Sequence, residues 1–446
     1  MRKVLVPFFA VSLLLVFVPA WGNALDRQPS ADYHARREAL ATKAGGVIVL
    51  FAPLENAGGD AIYGFRQEDN FYYLSGITEP GAALLIASAG EAKNSAPARP
   101  YTEILFLPPR NLTQEKWTGP KLGPDNPDAP KMTGFDQVEE TGKLPDEVAK
   151  LATGSRPVVY TDVASHGESA STEALAFLKR MNTSLSFQDV KPMLASLRTF
   201  KDAGEISLLR KAVDASVAAH FAAFKTVKPN VNEREISALL QYEWGKRGCE
   251  RPAYAPIVGS GFFSTVLHYS EDSNTMKAGD VVVIDAAGEY SMYAADITRT
   301  LPVSGRFTPR QREIYDIVLG AQEAAMAAFQ SGKSMLGGDS DASLNKVAKE
   351  YIRTHGKDLH GQALDQYFIH GLGHYIGLNV HDAGDYKIPL GAGMAFTIEP
   401  GIYLPEENLG VRIEDDFLVG PDGTLIKLSG ALPSKAEDVE KAMAGK

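Results

Sequence analysis

Five side chains suited to metal binding recur between residues 285 and 414, each at the end of a strand-like run or inside a glycine-containing turn: Asp285, Asp296, His374, Glu399 and Glu414. Four carboxylates and one imidazole form a hard, oxygen-rich donor set, which suits manganese or a similar divalent ion better than a structural zinc. Carboxylates this close repel one another unless a cation lies between them, and four of them balance two divalent cations. The set therefore predicts two divalent metal ions that share a water or hydroxide, and Mn²⁺ is the ion we expect.

Any one of these acids, taken alone, is more often a cap or a solvated charge than a ligand. The strand-like sequences around these residues argue against that interpretation when the five residues are taken together. The β-branched run Val281–Asp285, a turn at Gly288 and a second run Ala294–Thr298 are typical of a hairpin whose facing strands bring Asp285 and Asp296 together.

The last two acids follow the same pattern. In the run Met394–Glu399 the alternation separates Glu399 from the apolar side chains, and Pro400 ends the strand. In Val411–Glu414 the two apolar residues face one way, which leaves Arg412 and Glu414 side by side on the other face. Arg412 is expected to anchor a ligand or a substrate carboxylate, with a surface salt bridge as the alternative.

Three histidines lie within one short stretch: His370, His374 and His381. The first two have the spacing of a zinc-protease helix, but Gly371 stands where that helix needs a glutamate, and two glycines disfavour a helix. The stretch instead predicts a turn around one pocket, with one histidine as ligand and the others as hydrogen-bond donors. A lone histidine such as His268 is more often a core residue.

Seven short motifs follow one another along the chain: Leu-His268-Tyr, Val-Ile-Asp285-Ala, Asp296-Ile-Thr-Arg-Thr, His370-Gly-Leu-Gly-His374, Val-His381-Asp, Ile-Glu399-Pro-Gly-Ile-Tyr403 and Arg412-Ile-Glu414-Asp415. In content and order they resemble the motifs of the aminopeptidase P and prolidase family of dinuclear metallopeptidases. The resemblance implies an α+β chain, with a pita-bread catalytic domain after a smaller α/β N-terminal domain. It is closer to the aminopeptidase P branch, which implies release of the N-terminal residue from peptides with proline second.

The same resemblance implies roles for the remaining residues. His268 and His381 would orient the scissile carbonyl and stabilise the tetrahedral intermediate, and His370 would line the proline pocket. Glu399, besides binding metal, would carry a proton to the leaving prolyl nitrogen, and Tyr403 would donate a hydrogen bond to the intermediate.

A loop of the N-terminal half, Glu115–Pro120, also resembles the aminopeptidase P branch. In that branch the loop can approach the active site of a neighbouring subunit. Trp117 is therefore expected to contact substrate, and the chain is expected to form a dimer or tetramer. Prolidase, which acts on dipeptides only, is the nearest competing function, and a non-catalytic peptide-binding module on the same fold is the more distant one.

The first 24 residues predict a signal peptide, because two basic residues precede an apolar run from Val4 to Ala20 and small residues end at Ala24. A membrane anchor is the alternative, but Pro7 and Pro19 interrupt a run that is already short for a bilayer. Export to a periplasm or to the cell exterior is expected, with no membrane contact after cleavage.

The remaining length suits two domains, residues 25–190 and 191–446. A net charge of −10 argues against nucleic acid or anionic membrane as a partner. The single cysteine, Cys249, allows no internal disulfide. Short strands are predicted at residues 46–51, 83–87, 103–107 and 157–161, and helices are predicted to begin after Asp202, Asn232 and Thr308, the first with a capping box.

Overall fold

The computed structural model describes residues 25–55, 62–90, 98–153, 157–163 and 185–445, together with five positions between 174 and 181. The predicted signal peptide, residues 1–24, lies outside the described residues. No helix within the described ranges combines the length and the apolar character that a bilayer crossing requires.

Helices occur along the whole described chain, at α1 Ser30–Ala44, α2 Asp69–Ser75, α3 Glu115–Thr118, α4 Ala129–Thr133, α5 Leu144–Leu151, α6 Lys191–Arg198, α7 Ala203–Thr226, α8 Glu233–Gly245, α9 Pro309–Ala328, α10 Leu344–His355 and α11 Ala436–Met443. The strands are β1 Val47–Phe51, β2 Ala83–Ala87, β3 Thr102–Leu107, β4 Gln137–Glu140, β5 Val158–Thr161, β6 Ser186–Asp189, β7 Arg251–Pro252, β8 Ile257–Ser260, β9 Val281–Asp285, β10 Gly288–Tyr290, β11 Tyr293–Ala294, β12 Thr298–Pro302, β13 Ala395–Ile398, β14 Gly401–Leu404, β15 Leu409–Arg412, β16 Asp415–Val419 and β17 Leu425–Lys427.

The N-terminal half is built on a six-stranded mixed sheet in the order β4-β3-β2-β1-β5-β6. All four predicted strands are present within one residue of their predicted bounds. Strands β1, β2 and β3 are buried on both faces because helices cover the sheet, which explains their continuous apolar sequences. The predicted boundary between residues 190 and 191 stays a prediction.

The three long helices of the second half begin where local capping chemistry predicts. Asp202, Asn232 and Thr308 each accept a hydrogen bond from a backbone N–H of the first turn. In each helix the glutamate or glutamine three residues later accepts a hydrogen bond from the backbone N–H of the cap residue. These caps satisfy N–H groups that have no partner inside the helix. Helices thus alternate with small antiparallel sheets, in the α+β arrangement that was expected.

Strand β9 pairs with a returning antiparallel strand, as predicted, and Asp285 lies opposite Thr298. The returning strand β12 begins only at the last residue of the predicted run Ala294–Thr298, so Asp296 lies just before it. The predicted turn at Gly288 is wrong, since this residue lies in β10 and the chain reverses at Ser291 and Met292, both with positive φ. A Cβ on Gly288 would lie 2.7 Å from the Cys249 sulfur, so close packing is what requires a glycine there.

The N-terminal half holds one loop of the catalytic half, residues 378–382, through buried charged groups. Arg66 donates to the Leu378 carbonyl at 2.6 Å and to Glu289 at 2.8 Å. Arg198, on α6 at the start of the second half, links the loop to the N-terminal half, because it pairs with Asp382 and donates to Asn70 at 2.7 Å. Because His381 lies in this loop, contacts from the N-terminal half set the backbone position of a cavity residue.

Candidate active site

The predicted site residues surround one cavity of about 440 Å³ in the catalytic half. Its lining consists of Leu267, His268, Asp285, Asp296, His370, Gly371, Gly373, His374, His381, Tyr386, Glu399, Tyr403, Arg412 and Glu414. All the predicted metal ligands and all the predicted catalytic histidines are therefore brought together, although they lie up to 146 residues apart, as His268 and Glu414 do.

Asp285 and Asp296 are joined by a residue that the sequence analysis missed. The hydroxyl group of Tyr254 lies 2.5 Å from one oxygen of Asp285 and 2.6 Å from one oxygen of Asp296. Burial and the two carboxylates raise the pKa of Tyr254, so this phenol stays protonated and donates. The contact holds one oxygen of each carboxylate, while the other oxygen of Asp296 lies 3.3 Å from Nε2 of His374.

Arg412 orients the opposite oxygen of Asp285. Its guanidinium donates to Asp285 at 2.7 Å and to the Tyr403 hydroxyl at 2.9 Å. The side chain is only 4% exposed, which excludes the surface salt bridge considered from the sequence. A planar fork that contacts a carboxylate and a phenol together holds both in fixed positions.

The tautomer of His370 follows from its contacts. Its Nδ1 lies 2.8 Å from the carbonyl of Gly371, so this nitrogen donates, and its Nε2 lies 2.8 Å from the Tyr403 hydroxyl, which must then donate to it. Burial lowers the pKa of His370 to about 4, which keeps the ring neutral. The side chain thus presents an uncharged aromatic surface to the cavity.

His374 is oriented for metal binding through Nε2. Its Nδ1 lies 3.1 Å from the Tyr375 carbonyl, while Nε2 lies 3.3 Å from Asp296 and 3.2 Å from Glu399. A backbone carbonyl on the far nitrogen is the usual orienting partner of a ligating histidine. The hydroxyl of Thr397 donates to Glu399 at 3.0 Å and fixes that carboxylate in turn.

Glu414 carries an unsatisfied buried oxygen. Thr298 donates to one of its oxygens at 2.6 Å, but the other is buried and has no hydrogen-bond partner, and the residue is 1% exposed. Donor atoms of Glu414, Asp296 and His374 lie within 4.8 Å of one another. A buried carboxylate oxygen without a donor is costly unless a cation binds it, so the residues present fit divalent metal ions.

The acids of this cluster oppose one another's ionisation. Burial raises the pKa of Glu399 to about 8, and burial together with the neighbouring carboxylates raises the pKa of Asp296 and of Glu414. Burial works against the charged form of His374, but the hydrogen bond and charge of Asp296 outweigh it and raise its pKa to about 9. Without metal ions the cluster therefore retains protons at neutral pH, as a cation site does.

Two predicted catalytic histidines lie at the exposed side of the cavity. His268 and His381 are both exposed and line the cavity, and the ring of His381 contacts that of His374 edge-to-face with 4.3 Å between centroids. Burial lowers the pKa of His381, which favours its neutral form. Trp117 is different, because it is 84% exposed on α3 and does not line the cavity of its own chain.

Four residues that complete the site were not singled out from the sequence: Tyr254, Thr298, Thr397 and Asp416. Asp416 accepts a hydrogen bond from the backbone N–H of Asp296 at 3.1 Å and has a second, unpartnered buried oxygen. Of these four, only Tyr254 could have been noticed in the sequence, because it lies between two prolines, Pro252 and Pro256, shortly before β8.

Two family models match the chain. Residues 207–421 match the model described as metallopeptidase family M24, and residues 33–160 match the N-terminal domain of aminopeptidase P. The M24 match contains every predicted metal ligand.

Sequence and structure comparisons extend this similarity over nearly the full length. The chain is 32% identical to the Xaa-Pro aminopeptidase of Haemophilus influenzae, over 93% of this chain and 97% of the relative. It is 31% identical to the solved proline aminopeptidase P II from Yersinia pestis, with a TM-score of 0.80, 94% of this chain covered and 100% of the other.

A zinc-substituted Escherichia coli aminopeptidase P in complex with product has a TM-score of 0.80, with 30% identity over 94% of this chain and 99% of that one. These neighbours confirm the pita-bread catalytic domain behind an aminopeptidase P-type N-terminal domain. The chain therefore belongs to the Xaa-Pro aminopeptidase branch of metallopeptidase family M24, and it is a metal-dependent exopeptidase that hydrolyses peptides.

Proposed function

We propose that this protein removes the N-terminal residue from peptides whose second residue is proline, using two divalent ions held by Asp285, Asp296, His374, Glu399 and Glu414, with Mn²⁺ as the preferred metal. The observation that carries the proposal is the convergence of these donors on a single cavity whose wall also holds His370, Tyr403 and Arg412. Divalent ions bound there supply water activation and polarisation of the scissile carbonyl.

The protein's own residues divide the remaining work. The neutral ring of His370 and the Tyr403 phenol lie side by side with their centroids 5.5 Å apart and their planes tilted by 55°, and these two apolar ring surfaces suit the ring of a prolyl residue. His268 and His381, exposed on the cavity wall, are positioned to donate hydrogen bonds to oxygen atoms of the substrate. Glu399, which lines the cavity beside His374, would also carry a proton to the leaving prolyl nitrogen.

A peptide panel tests the proposal. With Mn²⁺ added, purified protein is expected to release arginine from Arg-Pro-Pro and to cleave Arg-Ala-Ala much more slowly. The Asp285→Ala variant should lose turnover while keeping its circular dichroism spectrum, and a chelator should silence the wild type reversibly. Wild-type rates in the Asp285→Ala variant would contradict the ligand assignment.

The same panel separates the competing functions. Prolidase activity would appear as cleavage of Gly-Pro with no release of arginine from Arg-Pro-Pro. A non-catalytic binding module would bind peptide without cleaving it, and its metal content would stay at zero after loading with Mn²⁺. The complete donor set argues against that module, since none of the five predicted ligands is missing from the cavity.

Trp117 supports the proposal that the protein works as a dimer or tetramer. A tryptophan that is 84% exposed on a short helix is available to contact another subunit. A Trp117→Ala variant is expected to raise KM with little effect on the kcat of the oligomer. Sedimentation analysis of wild type and variant measures whether assembly itself changes.

Export is the last part of the proposal. The signal-like residues 1–24 support it, with cleavage after Ala24. Intact-mass measurement of protein from a culture supernatant or a periplasmic extract should show a chain that begins at Leu25. A cell-associated protein that retains Met1 would contradict export.

A further inference from the structure

Glu233, the first residue of α8, is a fully buried acid that does not line the cavity. Each of its two oxygens accepts two hydrogen bonds. Ser260 donates to the first oxygen through its backbone N–H and through its hydroxyl, both at 2.7 Å. The second oxygen accepts from the hydroxyl of Tyr269 at 3.0 Å and from the backbone N–H of Asn274 at 2.7 Å. Four donors satisfy this carboxylate without a cation, which distinguishes it from Glu414.

The neighbouring donors fix the direction of the two hydroxyl contacts. The backbone N–H of Ser273 donates to the Tyr269 hydroxyl at 3.1 Å, and the side-chain amide of Asn274 donates to the Ser260 hydroxyl at 3.1 Å. Each hydroxyl therefore accepts from one neighbour and gives its own proton to Glu233. The substitution Glu233→Gln would keep the shape of the side chain but turn an NH2 group against two of the four donors.

Tyr269 connects this acid to the residue before it in the chain, His268. The Tyr269 ring stacks on that of Phe263, with 4.4 Å between centroids and 13° between planes, and Tyr269 is buried. His268 is exposed and lines the cavity. The chain thus turns Tyr269 into the core and His268 toward the cavity, so fixing the Tyr269 side chain fixes the backbone from which His268 projects.

The other contacts around His268 are longer or lie further along the loop. Arg412 reaches the Leu267 carbonyl at 3.5 Å, which is beyond the usual range of a hydrogen bond. At the far side of the loop, Asp272 accepts from the backbone N–H of Val258 at 2.9 Å. The hydrogen bond to Glu233 is therefore the short polar contact to another element that lies closest to His268 along the chain.

We propose that Glu233 is a positioning residue, which holds His268 at the exposed side of the cavity through the hydroxyl of Tyr269. The effect on turnover rests on the proposed function, because that function places His268 against the substrate. The orientation of His268 does not depend on the function, so separate measurements test the two. A misplacement of about 1 Å can lower a rate about 100-fold, which sets the scale of the expected effect.

Two substitutions break the connection. Glu233→Gln turns two donors against an amide. Tyr269→Phe removes one hydroxyl while the ring keeps its stack on Phe263, so it tests the connection even if Glu233→Gln does not fold. Tyr315→Phe is the matched control, because it removes a buried tyrosine hydroxyl that donates to the Ser434 carbonyl at 2.8 Å and does not line the cavity.

Nuclear magnetic resonance of isotope-labelled histidine side chains measures the orientation of His268. The protein is loaded with Zn²⁺, which is diamagnetic, and the His268 signal is identified by its absence in His268→Ala. This signal should shift in Glu233→Gln and in Tyr269→Phe. It should stay in place in Tyr315→Phe.

Turnover of Arg-Pro-Pro measures the consequence for catalysis. Glu233→Gln and Tyr269→Phe should each lower kcat about 10- to 100-fold with a smaller change in KM, whereas Tyr315→Phe should leave kcat unchanged. In the His268→Ala background the first two substitutions should lower kcat no further, because they act through His268. A general loss of structure would instead multiply with the loss caused by His268→Ala.

The outcomes separate this inference from the proposed function. An unchanged His268 signal in both variants, or kcat losses that multiply in the His268→Ala background, overturns the inference and leaves the function standing. A shifted signal together with a wild-type kcat in His268→Ala supports the inference and overturns the role of His268 in the function. If the wild type does not cleave Arg-Pro-Pro, the proposed function is overturned and the His268 signal decides the inference.

Discussion

Metal binding to this site is expected to release protons at neutral pH. In the metal-free cluster burial raises the pKa of Glu399 to about 8, and Asp296 and Glu399 raise the pKa of His374 to about 9 against the effect of burial. Both groups must give up a proton before they can bind a cation. A group with a pKa of 8 is about nine-tenths protonated at pH 7, so at least one proton must leave.

The magnitude follows from these two groups. Each proton released changes the apparent affinity by about tenfold per pH unit, or ~1.4 kcal/mol, below the pKa of the group. Between pH 6 and pH 7.5 the affinity should therefore rise about 30-fold if one proton leaves and about 1,000-fold if two leave.

Calorimetric titration with Mn²⁺ measures the proton count directly, when it is repeated at pH 7 in two buffers of different ionisation enthalpy. The matched control is His381→Asn, because burial lowers the pKa of His381 and its ring carries no proton that metal binding must displace. The control should release as many protons as the wild type. Zero net release at pH 7, with an affinity that is constant from pH 6 to 7.5, would refute the argument.

The stability of the metal-free protein should depend on pH for the same reason, because Glu399 binds its proton more tightly in the folded state. The pKa of Glu399 is raised from 4.5 to about 8 on folding, so the folded state binds its proton more tightly than the unfolded chain does. The resulting stabilisation is complete below about pH 4.5 and is lost as the pH rises to about 8. The Tm of chelator-treated protein should fall between pH 6 and pH 8, and the gain in Tm on adding Mn²⁺ should grow over the same interval.

Three substitutions test other parts of the structure. Thr298→Val removes the donor to Glu414 and should weaken Mn²⁺ binding about 10- to 100-fold by calorimetry, whereas an unchanged affinity would contradict an orienting role. Arg66→Ala removes a contact to the loop that carries His381 and should lower kcat up to about 100-fold with a smaller change in KM. A kcat equal to that of the wild type would show that the loop keeps its position without the Leu378 contact. Arg299→Met removes the guanidinium that pairs with the fully buried Asp415 and should cost about 3–5 kcal/mol in urea unfolding. A loss below about 1 kcal/mol would show that the remaining donors, Lys427, Gln322 and Ser429, are sufficient.

The parts of the structure that depend on local chemistry were predictable from the sequence. Capping side chains lie three residues from the groups they satisfy, so the starts of α7, α8 and α9 could be predicted correctly. Alternation around Glu399 and Arg412 likewise predicted which side chains face the cavity. The turn was misplaced because Gly288 is required by contact with Cys249, which is distant in sequence.

Long-range contacts explain what the sequence did not predict. Tyr254 contacts Asp296 across 42 residues, and Arg66 contacts Leu378 across 312 residues. The prolines on either side of Tyr254 mark the residue but do not show what its hydroxyl contacts, and nothing in the local pattern around Arg66 distinguishes it from a solvated arginine. Only the folded chain shows that Tyr254 contacts two carboxylates and that Arg66 holds the loop that carries His381.

The order of the site residues along the chain means that the last donors of the site lie close to the end of the protein. Arg412 ends β15, and Glu414 is joined to Thr298 by a backbone bridge, so the earlier donors gain these partners only after β15 has formed. The N-terminal sheet emerges first and can fold while the rest is being synthesised. A chain that ends before β15 lacks both Arg412 and Glu414, so it holds an incomplete set of donors and cannot form the whole metal site.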